Sequence, residues 1–173
     1  MVKYRRGKLA SPDAVYFLTL VTEHRKGQFR RREDFVLLWQ VMSSIAQRFD
    51  MEYPAWVLMP NHLHWLLNPR CAAYSKAVFA FKRAVGAEYK RKGLLETGQT
   101  LWQSRYWEHT IRDQADYTRC VEYVHFNPVK HGLVASPIEW PYSSFREYVR
   151  RGLYPSAWAA GSEVCVAGAE YDP

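Results

Sequence analysis

The segment from Met59 to Leu67 constrains the fold of this chain most, because it sets two histidines one residue apart in an apolar run. Alternate residues of a β-strand point to opposite faces, so His62 and His64 share one face and the apolar residues beside them share the other. Two imidazoles on one face can present ring nitrogens to one divalent ion if a third ligand comes from elsewhere. In isolation, the pattern also fits two polar residues on a half-buried strand, and short motifs of this kind occur by chance. It therefore predicts a strand, and a metal site only with further support.

The composition favours one globular domain with a polyanionic partner. With 173 residues, 48% hydrophobic and 24% charged, the chain is long enough to bury its own core. Its formal charge of +7 makes nucleic acid the leading partner. Aromatic residues stand next to cations in several places, as in Arg105-Tyr106-Trp107, and stacking faces beside cations are typical of proteins that bind single strands.

The cysteines and the hydrophobic runs predict a soluble cytoplasmic protein. Cys71, Cys120 and Cys165 are widely spaced and odd in number, which fits neither a disulfide framework nor a structural zinc site. The basic N-terminus lacks the apolar core of a signal peptide, and no run reaches the length of a membrane span. We therefore expect neither membrane insertion nor processing.

The periodicity of apolar residues predicts alternating strands and helices in a single domain. We predict strands at 14–22, 52–59, 62–67 and 102–112, and helices at 33–49, 73–92, 113–127 and 140–151. Pro60-Asn61 predicts a hairpin between the second and third strands. Asp113 is a good N-cap for the third helix, and Pro128 is predicted to end that helix. No linker divides the chain, so we expect one domain over 1–155 and an irregular tail over 156–173.

The third predicted helix places two polar side chains at the edge of its buried stripe. At 100° per residue, Tyr123 and Asn127 lie on one face, one turn apart, and Glu122 points to the opposite side. A side chain at this boundary is held by packing and can still meet a ligand. The alternative is a tyrosine that only packs in the core.

Three segments together resemble a known family. They are WVLMPNHLH at 56–64, RYWEHTIR at 105–112 and YVHFNPVKHGLV at 123–134. In this order they resemble the REP-associated tyrosine transposases, which belong to the single-tyrosine branch of the HUH endonucleases. The resemblance runs from Tyr4 to Pro155 and so covers nearly the whole chain.

The resemblance implies a catalytic site. It implies that His62 and His64 bind a divalent metal ion, Mg²⁺ or Mn²⁺, and that Tyr123 is the nucleophile. Asn127 would be the third ligand, at a position where related insertion-sequence enzymes usually carry Gln or Glu. An amide oxygen suits either ion. The implied reaction forms a 5′-phosphotyrosine and a free 3′-hydroxyl. A tyrosine has an ordinary pKa of about 10, so attack at neutral pH needs a base or a nearby cation, which the sequence does not identify.

The resemblance also implies the fold and the partner. The fold is expected to be α+β, a ferredoxin-like antiparallel sheet of four to five strands with helices mainly on one face and the nucleophile helix against the His-x-His strand. The partner is expected to be single-stranded or hairpin DNA of the REP type. Related insertion-sequence enzymes are dimers that exchange the tyrosine helix, but Arg112-Asp113 leads directly into this helix, which favours a monomer, with a dimer as the alternative. Candidate DNA contacts are Tyr4, Arg5, Arg6, Lys82, Arg83, Trp102, Arg105, Trp107, Arg112, Lys130 and His131.

Two other functions remain open from the sequence. One is a catalytically idle protein that binds hairpin DNA and regulates, which would keep the basic and aromatic residues without needing Tyr123 beside the histidines. The other is a metal hydrolase that activates water and would need a general base in place of the tyrosine. A covalent adduct between protein and DNA would distinguish the three.

Overall fold

A computed structural model of the chain describes residues 14–70 and 74–159, which form five strands and four α-helices. The elements are β1 (Tyr16–Val21), α1 (Arg32–Phe49), β2 (Met51–Glu52), β3 (Trp56–Leu58), β4 (His62–Pro69), α2 (Tyr74–Arg91), β5 (Trp107–Thr110), α3 (Gln114–Lys130) and α4 (Phe145–Arg150). The sheet order is β2-β4-β1-β5, with β3 also paired to β4, and every pairing is antiparallel. The predicted α+β fold with an antiparallel sheet of four to five strands is confirmed. The expectation that the helices pack mainly on one face was wrong, because α1 and α2 cover one face of the sheet and α3 covers the other.

Different helices pack on the two faces of the sheet, and this arrangement determines which helix the histidines meet. Leu63, Trp65 and Leu67 of β4 belong to a core cluster with apolar side chains of α1 and α2. On the other face, Leu66 packs in a second cluster with Phe17 and the inner side of α3. The side-chain alternation of β4 therefore directs His62 and His64 away from α1 and α2 and towards α3.

α3 starts as predicted but runs further. The Asp113 side chain accepts a hydrogen bond from the Asp116 N–H at 2.8 Å, which is an N-cap. The prediction that Pro128 ends the helix was wrong, since α3 continues to Lys130. Proline removes one N–H donor, but its φ suits a helix, and the N–H groups of His131 and Gly132 close the next turn on the carbonyls of Asn127 and Val129. Gly132 then ends the helix with a φ of +66°.

Three other predicted elements are shorter than expected. The strand predicted over 52–59 is interrupted at Pro54 and gives β2 and β3. The strand predicted over 102–112 forms only as Trp107–Thr110. The helix predicted over 140–151 forms only as Phe145–Arg150, because residues 142–144 hydrogen-bond to the free edge of β3 instead: Leu58 N–H donates to the Tyr142 carbonyl at 2.8 Å.

No helix among the described residues is long and apolar enough to cross a bilayer. Four residues of the predicted tail, 156–159, are described, and Trp158 stacks on Tyr154 with ring centroids 4.7 Å apart. The remainder of that tail lies outside the described residues, as does the basic segment Tyr4-Arg5-Arg6.

Candidate catalytic centre

His62 and His64 stand side by side on β4, with their ring centroids 4.7 Å apart. Both are buried, at 4% and 0% exposure. The antiparallel register places His64 opposite Thr19 of β1, and the Thr19 hydroxyl lies 2.8 Å from Nδ1 of His64. A neighbour bonded to one ring nitrogen sets the orientation of the other, as for histidines that bind metals. Sequence reasoning missed Thr19, whose only signal is a hydroxyl in the middle of an otherwise apolar strand.

Asn61 orients His62 in the same way. The Asn61 amide donates to the Arg25 carbonyl at 3.2 Å, which turns its Oδ1 towards His62 Nδ1 at 2.7 Å. Because an amide oxygen can only accept, a proton on Nδ1 satisfies this contact, and that tautomer leaves a lone pair on Nε2 for a metal ion. Sequence reasoning assigned Asn61 only to the hairpin turn, although it directly precedes His62.

The third predicted ligand reaches this pair from α3. Asn127 is fully buried, and its Oδ1 lies 3.1 Å from Nε2 of His62. Its Nδ2 has no hydrogen-bond partner within the described residues. Nε2 of His62 and Oδ1 of Asn127, two atoms of the kinds that bind metal ions, thus lie side by side. The structure therefore brings His62, His64 and Asn127 together, as the resemblance implied.

Tyr123 lies one turn before Asn127 and covers the second histidine. Its ring centroid is 5.2 Å from that of His64 and 5.8 Å from that of Phe17, in both cases edge to face. Its side chain is buried, with 1% exposure. The Lys130 ammonium donates to the Tyr123 hydroxyl at 3.3 Å. The phenol oxygen therefore has a cation as neighbour, which sequence reasoning did not identify.

A second cluster of possible ligands lies at the start of α3. Among the described residues, His109, Asp116 and Cys120 place ligand atoms within 4.8 Å of one another. Asp116 is fully buried and accepts hydrogen bonds from His109 Nε2 at 2.8 Å, Arg112 Nε at 3.2 Å and Arg119 Nη2 at 3.3 Å. Burial by itself raises its pKa, but the Arg112 N–H and the side chains of His109 and Arg112 hold the pKa at about 2. With cations already around it, this carboxylate is better suited to anchoring α3 than to binding a metal.

His125, the buried histidine of α3, has a structural role. Its Nε2 lies 2.8 Å from the Ser144 hydroxyl, which also accepts the Trp56 N–H at 2.9 Å. Burial lowers the pKa of His125 to about 3, so the ring is neutral at pH 7. At 100° per residue it points away from Tyr123. His125 therefore joins α3 to β3 and to the start of α4.

Some predicted DNA contacts lie beside the site. Trp107 is half-buried on β5, opposite Thr19, and its ring meets Phe17 at 5.5 Å. It thus lies in the same row across the sheet as His64. Lys130 and His131 are exposed at the end of α3, and the His131 ring is 5.1 Å from that of His62. These three residues therefore lie beside the histidine pair and Tyr123.

The other predicted contacts divide between surface and interior. Arg83, Arg105 and Arg112 are exposed, although Arg112 is also bonded to Asp116 and Arg83 lies on α2, across the sheet from Tyr123. Lys82 is half-buried and donates to the carbonyls of Gln103 and Ser104, and burial lowers its pKa. The prediction for Trp102 was wrong, because its ring is 5% exposed and packs in the core against Phe29 and Phe81, where no base can stack on it.

The chain is similar to known proteins over most of its length. Residues 10–127 match the family model described as "Transposase IS200 like". The chain is 33% identical over 162 residues to the REP-associated tyrosine transposase of Escherichia coli (strain K12), covering 92% of each protein. It is 30% identical over 180 residues to the corresponding sequence of Haemophilus influenzae, covering 97% of this chain and 99% of that one.

A solved structure extends this similarity to the fold. It is that of a REP-associated tyrosine transposase bound to a REP hairpin, and it matches with a TM-score of 0.78 and 32% identity over 92% of both chains. Sequence and fold thus agree over the same length of chain. The chain therefore belongs to the IS200-like transposases and, among them, to the REP-associated tyrosine transposases.

Proposed function

We propose that this protein is a metal-dependent endonuclease and strand transferase that cuts hairpin-forming single-stranded DNA of the REP type through a 5′-phosphotyrosine. One observation carries the proposal: two side chains one turn apart on α3 meet the histidine pair of β4. The ring of Tyr123 packs on His64, and the amide oxygen of Asn127 lies 3.1 Å from His62. The proposed nucleophile, Tyr123, is thereby held next to the proposed metal ligands.

The buried donor set fits a divalent ion. Ligand atoms at right angles on an ion such as Mg²⁺, bound at about 2.0–2.1 Å, lie about 3 Å apart. Nε2 of His62 and Oδ1 of Asn127 are 3.1 Å apart, and the hydroxyl of Thr19 orients His64 beside them. We therefore assign His62, His64 and Asn127 as ligands of Mg²⁺ or Mn²⁺. Such an ion would neutralise charge on the non-bridging oxygens of the scissile phosphate.

Tyr123 supplies the nucleophile. Its oxygen attacks phosphorus, the bond from that oxygen to phosphorus forms, and the bond from phosphorus to the 3′ oxygen breaks. The electron pair stays on the 3′ oxygen, which takes a proton from water, and the phenol proton passes to water. One DNA end then carries a 3′-hydroxyl and the other is joined to Tyr123, so that attack by a 3′-hydroxyl reverses the step and joins strands.

Three observations support DNA as the partner: the net charge of the chain, the side chains near Tyr123, and the DNA bound to a related protein. The related protein in the solved structure is bound to a REP hairpin. This chain has a formal charge of +7, and Trp107, Lys130 and His131 offer a stacking face and polar groups near Tyr123. Tyr123 meets the histidines of its own chain, so we propose that a monomer cuts in cis. Arg5, Arg6 and Tyr4 remain candidate contacts from the sequence.

Trapping the covalent adduct tests the reaction. The full chain is incubated with Mn²⁺ and a single-stranded REP-type hairpin, labelled in one sample on the 3′ side of the cut and in another on the 5′ side. We expect label on the 3′ side to stay with denatured protein, because the link is to the 5′ phosphate, and label on the other side to be released. Tyr123→Phe, which keeps the ring, is expected to bind the hairpin and to retain no label.

The alternatives give different results. A water-activating nuclease would cut without ever retaining label, and Tyr123→Phe would cut at the wild-type rate. A regulator that only binds would show hairpin binding without cutting in Mg²⁺ or Mn²⁺. Either result would refute Tyr123 as the nucleophile.

A further inference from the structure

The Lys130 ammonium is the charged neighbour of the phenol oxygen. Its Nζ donates to Tyr123 Oη at 3.3 Å and lies 4.8 Å from the centre of the phenol ring. The two residues are seven positions apart, which is two helical turns, so both lie on one face of α3. The contact needs no long-range folding beyond α3 itself.

This alignment exists because α3 passes through Pro128. If the helix ended there, Lys130 would leave the face that Tyr123 and Asn127 share. Instead the helix continues to Lys130, its last residue, and the positive φ of Gly132 then turns the chain away. The C-terminal end of a helix is favourable for a cation.

Burial differs sharply between the two partners. Tyr123 is 1% exposed and Lys130 is exposed, so the ammonium lies between the buried phenol and the solvent from which DNA arrives. An ammonium carries three N–H donors, so one group can contact both the phenol oxygen and a phosphate oxygen. It has no lone pair, so it acts as a cation and not as a base.

We propose that Lys130 is a catalytic residue that stabilises negative charge on the Tyr123 oxygen as the bond to phosphorus forms and breaks. The inference rests on the proposed nucleophilic role of Tyr123. In cleavage, negative charge appears on the phenol oxygen as its proton passes to water, and it decreases as the bond to phosphorus forms and the bond from phosphorus to the 3′ oxygen breaks. In joining, a 3′-hydroxyl oxygen attacks phosphorus and loses its proton to water. The bond to Tyr123 breaks, and its electron pair remains on the phenol oxygen beside the ammonium.

A simpler role would be contact with a DNA phosphate, as the sequence suggested. That role contributes to affinity in the ground state and so changes the concentration of protein needed to bind DNA. Stabilisation of charge on the phenol oxygen acts only while the bond changes, so it alters the rate when all DNA is bound. The two roles therefore separate in single-turnover experiments.

The test compares three variants of the full chain. Lys130→Met removes the charge and keeps a long side chain, Lys130→Arg keeps a charge, and Lys76→Met removes an exposed lysine from α2 on the far face of the sheet. Cleavage and joining are measured with Mn²⁺ at saturating protein. We expect Lys130→Met to slow both rates roughly 10- to 100-fold, Lys130→Arg to slow them less, and Lys76→Met to leave them unchanged. Circular dichroism and melting temperature check folding.

Fluorinated tyrosine at position 123 gives a second measurement. Fluorine withdraws electrons and stabilises charge on the phenol oxygen, so it is expected to speed joining more in Lys130→Met than in the parent protein. If Lys130→Met folds and cleaves and joins at parental rates when saturated, or if fluorine has the same effect in both proteins, the inference is wrong. Retained label in the parent protein shows at the same time that the role of Tyr123 still stands.

Discussion

His62 and Asn127 are 65 residues apart in the sequence, and Nε2 of His62 lies 3.1 Å from Oδ1 of Asn127. This contact brings α3 against β4 beside the point where Tyr123 packs on His64. One helical turn rises 5.4 Å, so a shift of α3 by a single turn would remove both the third ligand and the nucleophile from the histidines. The site therefore forms only when α3 lies in this position along β4.

Replacing His62 with Ala is expected to abolish cleavage and to change hairpin affinity little, because neutralisation of phosphates by Lys and Arg carries most of the affinity. His64→Ala should have the same effect on cleavage. Cleavage is measured against Mn²⁺ concentration, and affinity by gel shift. His24→Asn is the matched control, since His24 is exposed and has a positive φ that asparagine tolerates. Metal-dependent cleavage by His62→Ala at the wild-type rate would contradict the ligand assignment.

The contribution of Asn127 to cleavage is expected to depend on its amide oxygen more than on the volume of its side chain. Asn127→Leu fills a similar volume without a ligand atom, so we expect cleavage to fall at least about tenfold and to need more Mn²⁺. Asn127→Asp keeps an oxygen ligand and should retain more activity than Asn127→Leu. The measurement is the cleavage rate as a function of metal concentration. Equal metal dependence in wild type and Asn127→Leu would show that Asn127 only packs.

Asp116 should make the stability depend on pH in the acid range. Its pKa in the folded protein is about 2, below the ordinary value of 3.8, so its contribution is present above about pH 4 and is lost as the pH falls towards 2. Asp116→Asn is expected to lower the free energy of unfolding by about 2 kcal/mol at pH 7, and the difference should shrink between pH 4 and pH 2. Urea unfolding at several pH values measures it.

The matched control is Asp113→Asn, which also removes a negative charge at the start of α3 and keeps a good N-cap. We expect its unfolding free energy to stay close to wild type across this range. A difference between Asp116→Asn and wild type that does not change below pH 4 would contradict the assigned ion pairs.

Trp107 is expected to stack on an unpaired base. Trp107→Leu should weaken binding of a hairpin with a single-stranded flank by about 1–3 kcal/mol, the usual worth of one stacked base, and should affect a hairpin without a flank less. Fluorescence anisotropy with the two DNAs measures this. Trp39→Leu is the control, since Trp39 is 43% exposed and stacks on Trp56 of β3. Equal losses for both DNAs would show that Trp107 contributes only packing.

The sequence by itself predicted the elements whose pattern is local. Alternation along β4 placed both histidines on one face, and the turn at Pro60-Asn61 placed β3 and β4 as an antiparallel hairpin. The spacing of Tyr123 and Asn127 placed them on one face of α3. These predictions hold because the repeats of a strand and of a helix relate only near neighbours.

Element boundaries depended on contacts that no local pattern contains. Pro128 was expected to end α3, but one missing N–H is outweighed when the following turn is closed by its own hydrogen bonds. Residues 142–144 could have continued a helix, and they hydrogen-bond instead to β3, more than eighty positions earlier. The edge of β3 can bind residues 142–144 only once the sheet has formed, so no local pattern in the sequence predicts this contact.

Only the tertiary structure decided what surrounds each functional side chain. Trp102 looked like a stacking residue and lies in the core, because the packing of Phe29 and Phe81 encloses it. Thr19 became the neighbour of His64 through the register of β1 and β4. Hydrogen bonds and burial act over a few ångströms in space, and residues far apart along the chain reach those distances only in the folded protein. The sequence, with the family resemblance, thus predicted the two histidines, the tyrosine and the asparagine of the site, and the tertiary structure showed which residues surround them.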